Sequence, residues 1–570
     1  MTHAPARRRF DLVTEWLVRL WRRQPALREV LLVLCVILSV WGPFLASSRV
    51  DDKSLDWSFR ADYVGYELNA LLRDHEFPFW VTDGRFEQMR AKGVHDFFAN
   101  PETDVFSILT PLAAVWGLLP AVKIALVLHL ALGVWGCRRL LGTLAKGDGE
   151  PGILPLLLAS LLVLCNGAIV AHILHGHIQF IAMASFPLSL SLVLDAFDDR
   201  LIARKRAWHA GLAGAMLATA YYGGATHPLF YFLLCFVALL PLGTVILQPR
   251  RWRVVLSGAA LVGSWFVALA LWKLLPGIGD FGDYHTNYFL AYDGWRDFAS
   301  SFVVPWTPVL GMQLLHETNL YVGWLGVAIL AFGALHLRRR SSWPLTFACV
   351  ATAWVMFLKP DSPLLSLPLL RTQGAPTRLR FLLVMVAAIL AVTEIQALVN
   401  AARRSPRRWL RLGTVVALAC TCAGLAVDLS STNVARHVQV GCEESPPTSR
   451  GPFDLAPEMV PNDRDTTVSV RTILANQFTY DFSTKSVARA LIVAPSLQAT
   501  TRMPHLSLEG DAEMDTVKGA LAVRVNQRRG SFTLTFHDAR VTWGLGVSLV
   551  SLLALGLLGL FVARARKETG

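Results

Sequence analysis

Twelve apolar runs, most of them near the roughly 20 residues needed to cross a hydrocarbon core, dominate the chain. They fall at about 30–47, 121–142, 153–170, 180–197, 208–222, 228–247, 254–274, 319–336, 343–358, 380–400, 412–429 and 542–563. No soluble core takes up so many apolar stretches in series, so the expected fold is an all-α polytopic membrane protein of about twelve transmembrane helices. Composition agrees, with 54% of the 570 residues hydrophobic and only 17% charged. The stretch 106–120 is short and bracketed by proline, and reads as a half-inserted or interfacial helix.

A net charge of +13 raises the question of nucleic acid. The arginines, however, stand in short clusters between apolar runs: Arg138/Arg139, Arg200 with Arg204 and Arg206, Arg250/Arg251/Arg253, Arg338 to Arg340, Arg403/Arg404/Arg407/Arg408, and Arg564/Arg566. That is the positive-inside pattern of a bacterial inner (plasma) membrane protein with both termini cytoplasmic, and it leaves no call for nucleic acid. The basic segment 1–29 is then cytoplasmic, 30–47 is a retained signal anchor, 30–429 forms the main transmembrane domain, 542–563 is the last span and 564–570 a cytoplasmic tail. Seven of the eight cysteines lie in or beside apolar runs, so neither a disulfide framework nor a cysteine metal cluster is expected.

On this topology the exoplasmic face receives the long acidic, aromatic-rich loop 48–104 and the segment 430–541. In the latter, TTVSVRTIL, ARALIVA, GALAVRV and GSFTLTF alternate apolar and polar residues, which predicts a small β domain. A loop as long as 48–104 is uncommon as a mere connector. Its carboxylates include Asp56, Asp62, Glu67, Asp74 and Asp104. Any one of them is either a solvated charge or a general base or cation ligand at the membrane surface. Asp62 stands out because it opens DYVGYELNALL, whose spacing predicts an amphipathic helix lying on the membrane with Asp62 near its N-terminus.

Three further exoplasmic groups carry polar chemistry. HILHGHIQF places His172, His175 and His177 at a turn between spans, either lining a cavity or, less readily, binding metal. RTQGAPTRLRF holds Arg371, Arg378 and Arg380 on the exoplasmic side, at the start of a span and away from the clusters that follow the positive-inside rule; they are suited to a phosphate, or they snorkel to lipid head groups. Gly282 to Phe298, with Tyr284 and Trp295, has the mix of aromatic and polar side chains that holds sugars and that also forms interfacial belts.

Taken in order, EFPFW, NPETDVFSILTPL, LHLALGVWGCRRLLG, GHIQFIAMASFPL, YYGGATHPLFYFLL, LYVGWLGVAIL and SLPLLRTQGAPTRLRF resemble the bacterial GT-C-type membrane glycosyltransferases, in particular the YfhO-like group, over nearly the whole chain. The Pro-Gly-Trp element of that group's tail is not evident. The resemblance implies a polyprenyl-phosphate-linked sugar as donor, a glycan, lipid or protein acceptor in the cell envelope, and surrounding membrane lipids. It implies Asp62 as the catalytic carboxylate, with Asp56 and Asp104 as lesser candidates. Arg371, Arg378 and Arg380 would hold the donor phosphate, while His175 and His177 would line the cavity. A divalent cation is left open. The rival expectations are a transporter or flippase of lipid-linked saccharides and a non-catalytic envelope scaffold.

Overall fold

The structure is a computed structural model that describes residues 24–48, 55–77, 103–105, 107–145, 150–278, 292, 294–304, 319–359, 362–363, 376–435, 438, 459–474, 476–485, 490–498 and 505–568. Its first helices are α1 (Pro25–Val40), α2 (Gly42–Ala46), α3 (Leu55–Leu68), α4 (Leu109–Trp116), α5 (Leu118–Leu144), α6 (Ile153–Leu164), α7 (Gly167–Leu174), α8 (Phe186–Ala196) and α9 (Ala203–Tyr222). There follow α10 (Thr226–Phe232), α11 (Leu240–Leu247), α12 (Trp252–Gly277), α13 (Trp295–Ser300), α14 (Gly323–Ala331), α15 (Trp343–Val355), α16 (Arg380–Arg404), α17 (Arg408–Asp428) and α18 (Ala539–Glu568).

Among the described residues, seven helical segments are long and apolar enough to cross a membrane: Leu118–Leu144, Ile178–Ala196, Thr226–Leu247, Pro249–Gly277, Pro376–Arg404, Arg408–Val434 and Ala539–Ala565. An eighth is the pair α6 and α7, bent by 48°. The other four expected spans are helical but do not meet that measure. The run at 30–47 is split between α1 and α2, and α9 carries Arg204, Lys205, Arg206 and His209 in its first two turns. The runs at 319–336 and 343–358 hold the short helices α14 and α15. Stretch 106–120 holds the short helix α4, which ends at Gly117 with φ +80°, and the first residues of α5.

The two ends of the bundle differ in chemistry. At one end, Arg138 contacts Glu29 (3.3 Å) and Glu150 (3.1 Å), and Arg139 pairs with Asp195, which also lies 3.5 Å from His209. Arg251 donates to the Phe197 carbonyl at 2.9 Å, Gln248 to that of Arg340 at 3.1 Å, and Arg339 bonds Glu394 at 2.8 Å. The basic clusters between spans therefore gather on one face, called here the basic end. At the loop end lie α3, Asp104, the histidine turn, Arg378, Arg380 and the β module.

A bend inside an apolar span strips backbone carbonyls of their helical donors, and each bare buried carbonyl costs about 1–3 kcal/mol. Four of them would approach the whole net stability of a domain, on the order of 5–15 kcal/mol. The chain supplies a donor for each. Asn166 caps α7 and its Nδ2 reaches the carbonyls of Leu162 (3.1 Å) and Val163 (2.8 Å). Trp41 Nε1 takes Leu164 at 3.3 Å, and Asn433 Nδ2 takes Cys165 at 2.9 Å. The far end of α7 is closed by Trp57 Nε1 on the Leu174 carbonyl at 3.1 Å. Close helix contact elsewhere depends on small residues: a Cβ on Gly136 of α5 would come within 2.1 Å of the Leu188 amide in α8.

Two four-stranded antiparallel sheets make the β module, in orders β1-β4-β7-β6 and β2-β3-β8-β5. The strands are β1 (Val460–Pro461), β2 (Thr466–Ile473), β3 (Gln477–Thr484), β4 (Ala490–Gln498), β5 (Leu506–Gly510), β6 (Ala512–Val517), β7 (Ala520–Val525) and β8 (Arg529–Phe536), so all four alternating runs are strands. Period-two burial turns Phe478, Tyr480 and Phe482 inward, and Tyr480 stacks on its cross-strand partner Phe532 at 5.2 Å. This core also takes in Tyr63, Tyr66 and Val105 from the first loop. Trp57 and Val64 of the same helix pack into the transmembrane core. Helix α3 is thus wedged between bundle and β module and does not lie on the membrane, and Asp62 sits in its middle, not near its N-terminus. Opposed apolar faces explain the difference, because burial in protein removes more water than half-immersion at an interface.

Candidate functional site

Helix α3 sends two charged residues into the interior, Arg60 (3% exposed) and Glu67 (1%), where they meet Asp104 (4%) and Lys273 (0%). Ionised groups this deep need partners. Lys273 Nζ, near the loop end of α12, donates to the Thr103 carbonyl at 2.5 Å and lies 5.3 Å from the Tyr221 ring centroid. The Thr110 hydroxyl sits 3.0 Å from both Glu67 oxygens and 3.3 Å from the Asp104 carbonyl, so the start of α4 clasps the same group. Burial is the largest influence on Asp104 and raises its carboxyl from 3.8 to about 6, with Arg60 and then Lys273 pulling the other way. A carboxylate held there exchanges protons near neutrality.

A second group lies on the turn after α7. His172 and His177 approach through their Nδ1 atoms at 2.9 Å and stack with Phe180, whose ring lies 5.3 Å from the Arg378 guanidinium. Arg378 and Arg380 are both buried, which excludes snorkelling. Arg380 donates to the carbonyls of Asn319 (2.7 Å) and Thr377 (2.9 Å) and pins the start of α16 to the 319–321 segment.

Five buried polar atoms at the loop end have no hydrogen-bond partner among the described residues: Asp104 Oδ2, Tyr221 Oη, Gln179 Oε1, Asn319 Nδ2 and Thr377 Oγ1. Folded proteins leave few such atoms, and each calls for a water or a ligand. Asp104 and Tyr221 neighbour Lys273, while Thr377 and Gln179 adjoin Arg378 and its ring partner Phe180 in the chain, so unclaimed polar atoms stand near each buried cation.

The expected site residues divide accordingly. Asp104, Arg378 and Arg380 come to this end of the bundle and inward, and His175, at the C-terminus of α7, and His177 are half-buried beside them. Trp295 is 70% exposed on α13, and its ring lies tilted against that of Phe357 at 4.5 Å. The backbones of Asp56 and Asp62 belong to α3, while their side chains lie outside what the structure describes, as do Arg371 and Tyr284 altogether. Among the described residues no three His, Cys, Asp or Glu side chains are grouped to hold a metal ion. Arg60 and Lys273 are the residues that sequence reasoning missed. A lone lysine in the apolar run VALALWKLLPG was the available signal, since an ionisable residue inside a span seldom faces lipid.

No protein-family model and no curated protein sequence matches this chain.

Proposed function

We propose that this chain is a GT-C-type membrane glycosyltransferase that moves a sugar from a polyprenyl-phosphate donor to a cell-envelope acceptor, with the loop end facing the exoplasm. The observation that carries the reading is Asp104: a buried first-loop carboxylate, raised to about 6, with one oxygen unclaimed among the described residues and two cations beside it. In this reading Asp104 takes precedence over Asp62 and Asp56 as general base. It accepts the proton of the acceptor hydroxyl, whose oxygen attacks the anomeric carbon. The bond from that carbon to the donor phosphate oxygen breaks, the phosphate leaves with the electron pair, and a single displacement inverts the centre. Arg378, with Arg371, holds the phosphate, and Arg380 acts as a positioning residue through its two backbone contacts. No step in this scheme requires a metal ion.

The rival reading, a flippase of lipid-linked saccharides, draws on the bent α6/α7 span. Transporters use unwound carbonyls at such breaks to coordinate ions. Here those of Leu162, Val163, Leu164 and Cys165 are already taken by protein donors, which favours the enzyme.

The test is sugar transfer from radiolabelled polyprenyl-phosphate donors in membranes containing wild-type, Asp104→Asn or Asp62→Asn protein, with insertion and melting verified. Loss confined to Asp104→Asn supports the assignment. Loss confined to Asp62→Asn returns the role to that residue. Absence of transfer by wild-type protein across several donors and acceptors sinks the enzyme reading.

A further inference from the structure

At the opposite end of the molecule, α14, α16 and α17 enclose a groove of about 700 Å³ whose walls include Leu325, Ile329, Phe332, Leu398, Leu410 and Leu418. Ligand cavities are commonly this large. Its two wall hydroxyls, Thr414 and Thr421, donate to the carbonyls one turn back, Leu410 and Ala417, both at 2.8 Å. The wall therefore suits hydrocarbon and has no use for a polar ligand.

The groove runs toward the hairpin between α16 and α17, where Arg404, Arg407, Arg408 and Arg411 are all exposed, and none of the four pairs with a carboxylate among the described residues. Three of these charges stand at the wrong end of a helix. Arg407 is the N-cap of α17, and Arg408 and Arg411 lie in its first turns, where the helix dipole and unpaired amides are already positive. That N-terminus has no side-chain cap and no acidic residue in its first turn. The positive-inside rule accounts for arginine on this side, but not for crowding it onto a helix N-terminus at the mouth of an apolar groove. An anion placed there neutralises the arginines and satisfies the amides together.

We propose that this groove is a binding site for an anionic phospholipid of the leaflet at the basic end, with acyl chains between α14, α16 and α17 and the phosphate on Arg407, Arg408 and Arg411. Basic pockets between spans recognise lipid head groups by this combination of charge and hydrocarbon. The site is separate from Asp104 and does not depend on the transferase reading.

The experiment uses the purified full chain in detergent, with native mass spectrometry and thermal melting after addition of phosphatidylglycerol, cardiolipin or phosphatidylcholine. Wild-type protein retains the anionic lipids selectively and melts higher in their presence than with phosphatidylcholine. An R407Q/R408Q/R411Q variant loses that preference, and Ala417→Phe, which fills the groove, loses retention of all three lipids while its lipid-free melting stays near wild type. Equal retention of phosphatidylcholine and the anionic lipids by wild-type protein overturns the proposal. So does an unchanged preference in the triple variant, or a dimer that forms through this face and excludes lipid.

Discussion

Lys273 Nζ donates to the Thr103 carbonyl at 2.5 Å, so a cation from the middle of the chain grips the residue just before Asp104. Its charge favours the ionised Asp104 carboxylate, second in that respect to Arg60. Because burial holds Asp104 near 6, above its ordinary 3.8, ionisation carries a stability penalty that is absent below about pH 4, grows through pH 6 and is complete above it. A base must be ionised, so transfer is expected to rise with pH through about 6 and then level. Lys273→Met moves that acidic limb to higher pH, and a rise of about one pKa unit lowers transfer at pH 6 by about fivefold. A limb that stays in place in the pH–rate profile of the variant refutes the coupling.

Trp57→Phe keeps an aromatic ring at this buried position but removes the N–H that closes the Leu174 carbonyl together with part of the indole, so a cavity cost adds to the lost hydrogen bond. A loss of about 1–3 kcal/mol is expected from the stranded acceptor, read as a lower melting temperature in detergent. Trp41→Phe should behave alike through the Leu164 carbonyl. Melting equal to wild type in both would mean that water replaces the indoles.

Gly323 has φ +71°, and a Cβ there would lie 2.2 Å from Asp428 Oδ2, the carboxylate that accepts from the Tyr321 hydroxyl at 2.8 Å. Gly323→Ala therefore combines about 1–2 kcal/mol of left-handed backbone cost with displacement of Asp428. In an Asp428→Ala background only the backbone part remains, so a double-mutant cycle on thermal stability should be non-additive. Strict additivity would place the whole cost in the backbone.

Asn476 joins the β module to the first loop through its amide to Glu76 Oε2 (2.7 Å) and its side chain to the Phe77 carbonyl (2.5 Å). Asn476→Ala should speed hydrogen exchange in α3 and the adjoining 69–77 segment while leaving the β-sheet amides as slow as in wild type. Faster exchange in the strands instead would locate the damage inside the module.

Apolar runs and alternation were enough to locate helices and strands, because each pattern reports the burial of a single element. What they hide is which element meets which. Tyr63 and Tyr66 have the spacing of a membrane-surface helix, and only the partner strands, hundreds of residues later, show that they enter a protein core. Asp104 looked like one loop carboxylate among several until Arg60 and Lys273, both distant in sequence, were placed around it. Spans such as α9 were harder to judge, since a polar first turn is compatible with burial by neighbouring helices.

The contact between Glu76 and Asn476 spans 400 residues. At roughly 5–20 residues per second of synthesis, the loop helix emerges on the order of 20–80 s before the strands that cover it. Through that interval Tyr63, Tyr66 and Val105 have no native cover, so this surface of the newborn chain is exposed to aggregation or proteolysis. Maturation is thereby ordered in time: the face of α3 that carries Tyr63 and Tyr66 gains its finished cover only after the ribosome has delivered the strands of the β module.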